Sequence, residues 1–316
     1  MTLFSTIDLS HDHLYMTHEL IAMGYDDRDI KRLVGSGVLH RISHGAYVTA
    51  DHWNVASQTA RRRLLALAAL RRARRPVALA GPSAADVYDV PVWDMGTTVH
   101  LTRTDQRAGR RTTTQAQHRP ALVAEDLTVR DGLPVTSGTR TALDMIAITD
   151  VRHALVTVNG LLHAGETTQA HLERRARGML YDPHSLATPL VLGLADERCE
   201  SAGESLLLHL CWENHLPKPQ LQHPIRDRHG RIIAYVDFAW PELGLFLEFD
   251  GREKYERYRR PDESIADMVL REKAREDLIR ELTGWRCIRL VWADLFRVRS
   301  TVRRIREAMV GAQHAA

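Results

Sequence analysis

Three carboxylates interrupt two stretches that otherwise read as buried strands. Asp237 lies in "RIIAYVDFAW", and Glu248 and Asp250 bracket Phe249 in "LGLFLEFDG". A buried carboxylate without a partner costs several kcal/mol, roughly, so each needs a compensating group. The four residues 241–244 ("PELG") are turn formers, so the two stretches predict an antiparallel hairpin that sets Asp237 near Glu248 and Asp250. Three gathered carboxylates repel one another unless a cation neutralises them. Oxygen donors of this kind suit Mg²⁺ or Mn²⁺ rather than zinc. The expectation is therefore a metal held by Asp237, Glu248 and Asp250, with no salt bridge needed. A metal so held acidifies bound water and polarises a phosphate, which is the chemistry of phosphodiester hydrolysis.

The elements around this hairpin supply further candidates. "DERCESAGESLLLHLCWENH" reads as an amphipathic helix with Leu206, Leu207 and Leu210 inward, and Glu204 near its start is placed to face the same site. Arginine is the chain's default cation, and its four lysines are Lys31, Lys218, Lys254 and Lys273. Lys254 follows Asp250 by four positions, and Lys273 falls on a long helix expected from about 262 to 282. On that helix Ile265, Met268, Val269, Ile279 and Leu282 recur at helical spacing. Glu272 and Glu276 project within the apolar face; either they reach the site or they pair with buried arginines. "REKYERYRRP" interleaves Tyr255 and Tyr258 with basic residues. That pattern suits a clamp on nucleic-acid backbone and bases, the plain alternative being a solvated loop.

A helix acid, a strand Asp, a strand Glu-x-Asp and a nearby lysine resemble the PD-(D/E)XK nuclease superfamily. More narrowly, residues 200–296 are similar to the endonuclease-like domain related to very-short-patch repair enzymes. The carrying stretches are "GESLLLHL", "YVDFAWPELGLFLEFDGREKY", "REKAREDLIREL" and "GWRCIRLVWADL", the last with Trp285, Arg286, Arg289 and Trp292 after Gly284. The resemblance implies a restriction-endonuclease-like α/β domain with Glu204, Asp237, Glu248 and Asp250 as site acids. It departs from the superfamily's pattern where a lysine usually stands two residues after the glutamate, since Asp250 occupies that place. Lys254 or Lys273 would then hold the attacking water and stabilise developing phosphate charge. An arginine seated among the carboxylates, such as Arg289, would instead indicate a nuclease fold retained as a binding module.

The N-terminal stretch follows a different plan. Thr17 is placed to cap a helix through Met23, Gly24 and Tyr25 turn the chain, and Asp26–Asp29 starts a second helix with Ile30, Leu33 and Val34 on one face. Arg28, Lys31 and Arg32 occupy the other face, as a recognition helix in a major groove requires. "VLHRISHGAYV" alternates around Ser43, His44 and Gly45, a small hairpin wing with Arg41 and His44 near its tip. The whole stretch "MTHELIAMGYDDRDIKRLVGSGVLHRISHGAYV" resembles the winged-helix domain of the abortive-infection AbiEi antitoxin family, with Gly37, Leu39, Arg41, Gly45 and Tyr47 matching its wing. "ALAGPSAADVYDVPVW" and "GLPVTSGTRTALDM" are similar to segments of the domain that follows in such proteins. The resemblance implies DNA binding, at the protein's own promoter among other sites, and a toxin partner.

Length and composition set the frame. With 316 residues, 44% hydrophobic and 26% charged, the chain has material for two or three cores and is not compositionally disordered. Residues 1–75 hold eleven Lys/Arg against seven Asp/Glu, a mildly basic head that suits a polyanionic partner. Apolar runs fall short of a membrane span, the start has no signal-peptide pattern, and three scattered cysteines give no disulfide framework. A cytoplasmic protein is expected. The reading is an α+β multidomain chain: a winged helix over 1–52, a mixed middle domain over 53–195 and an endonuclease-like domain over 196–316. "TARRRLLALAALRRARRP" should be a helix ended by Pro76, "TTVHLT" a strand, "TRTDQRAGRRTTTQAQHRP" an exposed loop or hairpin, and 139–148 a helix. The leading functional expectation is a metal-dependent endonuclease that binds DNA, in phage defence for instance. The alternatives are an AbiEi-type antitoxin and repressor, commonly a dimer, with an inactive tail, and a DNA repair endonuclease. "HDH" at 11–13, His209 and His215 are read as surface or incidental residues. Nucleophile-elbow, Walker, H-E-x-x-H and dinucleotide fingerprints are absent.

Overall fold

The computed structural model describes residues 14–105, 112–118, 121–179, 185–251 and 265–313. The chain is α+β and multidomain, and it divides into two compact units. The first comprises Met1–Ile148 with Glu166–Leu180, and the second Thr149–Gly165 with Tyr181–Ala316. The segment 149–165 and the residues from 181 onward thus pack with the tail, whereas the sequence reading draws its boundary at 195.

The first unit opens with β1 (Leu14–Met16), α1 (Thr17–Ala22), α2 (Asp27–Gly35), β2 (Leu39–Ser43) and β3 (Ala46–Thr49). Its three strands form one antiparallel sheet in the order β1-β3-β2. Period-two alternation gives the sheet two apolar faces. Tyr15, Leu39 and Tyr47 meet Leu20 of α1 and Ile30 of α2 on one. Leu14, Met16, Ala46 and Val48 meet Leu64 and Ala68 on the other. Those last two belong to α4 (Gln58–Arg72), which follows α3 (Ala50–Val55). Thr17 is the first helical residue of α1, not its cap; the Glu19 carboxylate accepts from Met16 N–H at 2.8 Å instead.

The rest of this unit is a five-stranded sheet. It contains β4 (Val77–Leu79), α5 (Gly81–Val87), β5 (Val99–Arg103), β6 (Gln115–His118), β7 (Leu127–Arg130), β8 (Leu133–Thr136) and α6 (Gly138–Ile148), in the order β6-β5-β4-β8-β7. β6 runs parallel to β5, so "TRTDQRAGRRTTTQAQHRP" contains a strand that is neither loop nor hairpin partner. Residues 106–111 and 119–120 of that stretch lie outside the described residues.

The second unit begins with α7 (Val151–His163). α8 (Gln169–Arg177) returns to the first unit, and α9 (Thr188–Leu194), α10 (Ala202–Glu213), β9 (Gln220–Arg226), β10 (Ile232–Trp240), β11 (Leu245–Asp250), α11 (Ile265–Thr283), β12 (Arg286–Val291), α12 (Trp292–Phe296) and α13 (Val298–Gln313) complete the second. Its sheet has the order β12-β11-β10-β9, with β11 and β12 parallel and the other pairs antiparallel. β9 is a strand the sequence reading does not contain. It carries Pro224, which an edge strand tolerates because the missing N–H need not serve an inner ladder.

Candidate nucleic-acid interface and carboxylate site

α2 is set by local chemistry. Asp26 Oδ1 accepts from Asp29 N–H at 2.7 Å and Asp29 Oδ2 from Asp26 N–H at 3.1 Å, a reciprocal cap that ties up both acids. Ile30 is buried and Leu33 and Val34 are half-buried against the core, as their spacing predicts. Arg28, Lys31 and Arg32 are exposed. Arg32 is tied to Asp29 at 2.5 Å, whereas among the described residues Arg28 and Lys31 form no ion pair. The wing turns through His44 and Gly45, and Gly45 holds a left-handed φ of +69°, which a side chain would strain. Arg41 Nη2 donates to His44 Nδ1 at 3.0 Å, both side chains being exposed beside that turn. The wing motif thus has a physical content: Leu39 and Tyr47 point into the core, Arg41 points out, and Gly45 makes the turn.

The tail's hairpin forms as its sequence predicts. Phe238↔Leu247, Ala239↔Phe246 and Trp240↔Leu245 are paired across a turn at Pro241–Leu243, and the same register sets Asp237 opposite Glu248. Phe246 packs with Val236, Ala239 and Ile279 of α11, so α11 covers the face that carries Glu248. The opposite face carries Phe249. A Cβ built on Gly203 of α10 would fall 2.0 Å from Phe249 Cε1, so that helix rests directly on the strand end and only glycine fits. Trp292 meets the same ring edge-on at 5.8 Å between centroids.

Each strand carboxylate has a partner from this chain. Phe249 N–H donates to Asp237 Oδ2 at 2.8 Å. Arg275, one turn before Ile279, donates to Glu248 Oε1 at 3.0 Å. Arg289, in register beside Glu248 on β12, donates to Asp250 Oδ2 at 3.0 Å and through Nε to Glu276 Oε2 at 2.6 Å. Burial by itself would lower the Arg289 pKa, but the hydrogen bonds to Glu276 and Asp250 outweigh it and hold the guanidinium above its usual range. Glu276 also takes Arg280 at 2.7 Å, so this glutamate does pair with arginines, although Arg289 is half-buried and Arg280 exposed, not buried as expected. Glu272's side chain lies outside the described residues.

Glu204 is 1% exposed, but its carboxylate is engaged at the start of its own helix. Oε2 accepts from Glu200 N–H at 3.0 Å and Oε1 from the Ser201 hydroxyl at 2.9 Å, while Ser201 Oγ accepts from Glu204 N–H at 3.2 Å. This is an S-x-x-E helix start, a signal present in "SAGE". Lys273 is exposed on α11 and has no polar contact among the described residues. Lys254 and the "REKYERYRRP" run, with Tyr255 and Tyr258, lie outside the described residues. Among the described residues no group of three His, Cys, Asp or Glu is arranged to hold a metal ion. As arranged, Asp237, Glu248 and Asp250 therefore do not fit a shared Mg²⁺ or Mn²⁺; ion pairs and a backbone N–H answer their charge.

Two further expectations are corrected. α10 is not amphipathic: Gly203–Cys211 are all buried, because α7 covers its outer side and Asn159 Nδ2 donates to Ser205 Oγ at 3.1 Å. His209, on that helix, is 4% exposed and not a surface residue, and burial lowers its pKa. Leu282, expected within the apolar face of α11, is exposed. Cys199, Cys211 and Cys287 are free thiols, and burial pushes Cys211 and Cys287 up to about 12. Among the described residues no helix is long and apolar enough to cross a membrane.

No family model matches the chain. An uncharacterized protein of Mycobacterium tuberculosis strain H37Rv and one of strain CDC 1551 are each 33% identical to it over 144 residues. The match covers 46% of this chain and 49% of each relative, so the chain spans about half the length of the curated relatives it matches.

Proposed function

We propose that this protein is a DNA-binding regulator that reads duplex DNA with its winged-helix head and keeps its endonuclease-like tail as a binding module. The observation that carries this reading is on α2. Arg28 and Lys31 stand exposed and, among the described residues, without ion pairs on the helix that a winged helix lays in the major groove, beside a wing bearing Arg41 and His44. Exposed cations of this kind contact phosphate, and those at the helix face reach base edges. The tail supports a binding role because Arg275 and Arg289 already pair with two of the three carboxylates a metal would need, Glu248 and Asp250.

A second reading is the metal-dependent endonuclease, with a phage-defence or repair role. It draws on the register that sets Asp237 opposite Glu248, with Asp250 two residues on and Glu204's helix pressed against the same strand end. It requires Arg275 and Arg289 to release their partners.

One pair of assays separates the two. Gel shift on the protein's own upstream DNA, and nicking of supercoiled plasmid with and without Mg²⁺ or Mn²⁺, are run on wild type, Arg28→Ala/Lys31→Ala and Asp237→Asn. The regulator reading expects a specific shift weakened by the α2 double variant and no nicking. Metal-dependent nicking that disappears in Asp237→Asn would overturn it in favour of the enzyme.

A further inference from the structure

A cavity of about 710 Å³ lies behind the wing in the first unit, within the range of small-molecule sites. Its wall includes His40, Ser43 and His44 from the hairpin, Trp53 from α3, and Arg61 and Arg72 from α4. Four of these six are basic or imidazole side chains, and among the described residues no acidic one lines the cavity.

α4 itself supplies the contrast that makes this informative. Its Arg62, Arg63 and Arg71 each have a carboxylate partner, in Asp86, Asp89 and Glu19 respectively. Arg61 and Arg72, the two that line the cavity, have none among the described residues, and their hydrogen bonds there go to carbonyls. Arg61 donates to Trp53 O at 3.0 Å and Asn54 O at 3.3 Å, and Arg72 Nη1 donates to His44 O at 3.0 Å. Arg72 Nε and the Ser43 hydroxyl are both buried without a hydrogen-bond partner. Two guanidinium groups without a carboxylate among the described residues, lining one cavity together with two imidazoles, favour an anionic ligand. The Trp53 ring contacts both Arg61, 5.1 Å from its centroid, and His40, stacked at 4.8 Å, which helps hold both groups in place. Ile42, Leu65 and Val99 add an apolar wall that an inorganic anion alone would leave unused.

We propose that this cavity binds a phosphorylated small molecule of nucleotide size, its phosphate held by Arg61 and Arg72 and its organic body lying on the apolar wall. Arginine's planar fork matches phosphate oxygens bidentately, the geometry this chemistry favours. Because Ser43 and His44 belong to the wing, an occupied cavity fixes the hairpin; that consequence, unlike the binding, rests on the DNA-reading role of the head.

Isothermal titration of the full chain with AMP, GTP, adenosine and inorganic phosphate tests the site. AMP or GTP should bind, adenosine should not, and phosphate should bind more weakly than the nucleotide. Arg61→Met and Arg72→Met should each weaken nucleotide binding at least about tenfold, the loss of one charge-assisted contact. Arg74→Met, outside the cavity, should leave it unchanged, and Arg72→Lys should retain part of it. Melting curves identify any variant that has lost its fold, in which case Arg72→Lys and Arg61→Met decide. Absence of nucleotide binding to folded wild type overturns the proposal, as does binding indifferent to both arginines. So does a result in which these variants alter only duplex-DNA affinity and its salt dependence, because the phosphate would then belong to DNA.

Discussion

Helix α2 of the head and the hairpin of the tail both concentrate like charge, yet they treat it in opposite ways. On α2, Arg28 and Lys31 stay in water with no ion pair among the described residues, at little cost and open to a partner. On β10 and β11, Asp237 and Glu248 are 7% and 5% exposed, and the chain answers each with a group of its own. Charge left in solvent is available for binding from outside; charge drawn into a sheet must be matched from inside before anything external can use it. The contrast is open to attack at several points, from the tightest packing to the loosest charge.

The largest effect belongs to Gly203. An added methyl has no room against Phe249, which is 1% exposed and cannot withdraw. Gly203→Ala should cost at least about 3 kcal/mol in urea unfolding of the second unit. Phe249→Leu in the same chain should recover part of that loss, and strictly additive losses would dismiss the contact as the cause.

Asp144 tests how a buried charge behaves when its match is incomplete. Arg140 Nε donates to Asp144 Oδ1 at 2.8 Å, but Oδ2 is buried with no partner. Burial raises the pKa to about 6 against the lowering effect of Arg140. The native state therefore keeps a proton between pH 4 and 6 that the unfolded chain has released, and stability falls as pH rises through that window. The loss is on the order of 3 kcal/mol by pH 7. Unfolding free energies of wild type and Asp144→Asn should diverge between pH 4.5 and 7.5, with the variant gaining; parallel curves would refute the assignment.

Arg289 comes next and bears directly on the tail's function. Arg289→Met leaves Asp250 and Glu276 facing each other part-buried, a loss of about 1–2 kcal/mol given the solvent access of the three side chains. If the acids serve only as the arginine's partners, Asp250→Asn added to Arg289→Met restores stability and Mg²⁺ does nothing. A melting temperature raised by millimolar Mg²⁺ or Mn²⁺ in Arg289→Met alone would instead show that a metal can take the arginine's place, and would return the enzyme reading to first position.

What was legible in the sequence follows the distance over which each feature is decided. The hairpin that sets Asp237 opposite Glu248 is local: alternation on both sides of "PELG" specifies it. The wing is local too, since Gly45 and the spacing of Leu39, Arg41 and Tyr47 determine it within eleven residues. β9 was hidden because Pro217, Pro219 and Pro224 read as breakers, and only its edge position in the sheet excuses the last. α10 misled because its outer face is covered by α7, an element far away in sequence. The helical spacing of Ala154, Leu155, Val158, Leu161 and Leu162 could have revealed that cover. Glu204 carries a cap signal that competes with the catalytic one, and sequence alone weighs them equally. The pairing of Glu248 with Arg275 spans 27 residues and a helix packing, and no motif announces it.

The smallest effect on stability, and the most informative for binding, lies back on α2. Arg28→Ala and Lys31→Ala remove exposed side chains that have no ion pair among the described residues, so each should change unfolding free energy by less than about 0.5 kcal/mol. If both contact phosphate, each should flatten the slope of log affinity against log salt by about 0.9 in a gel-shift or anisotropy series. Arg32 differs, because Asp29 already holds its guanidinium. Arg32→Ala should therefore weaken DNA binding less than Lys31→Ala. Asp29→Asn keeps a side-chain oxygen for Asp26 N–H while releasing Arg32, so it should tighten binding and steepen the salt slope. If Asp29→Asn leaves affinity and slope unchanged, Arg32 does not face the duplex, and the groove-facing surface of α2 narrows to Arg28 and Lys31.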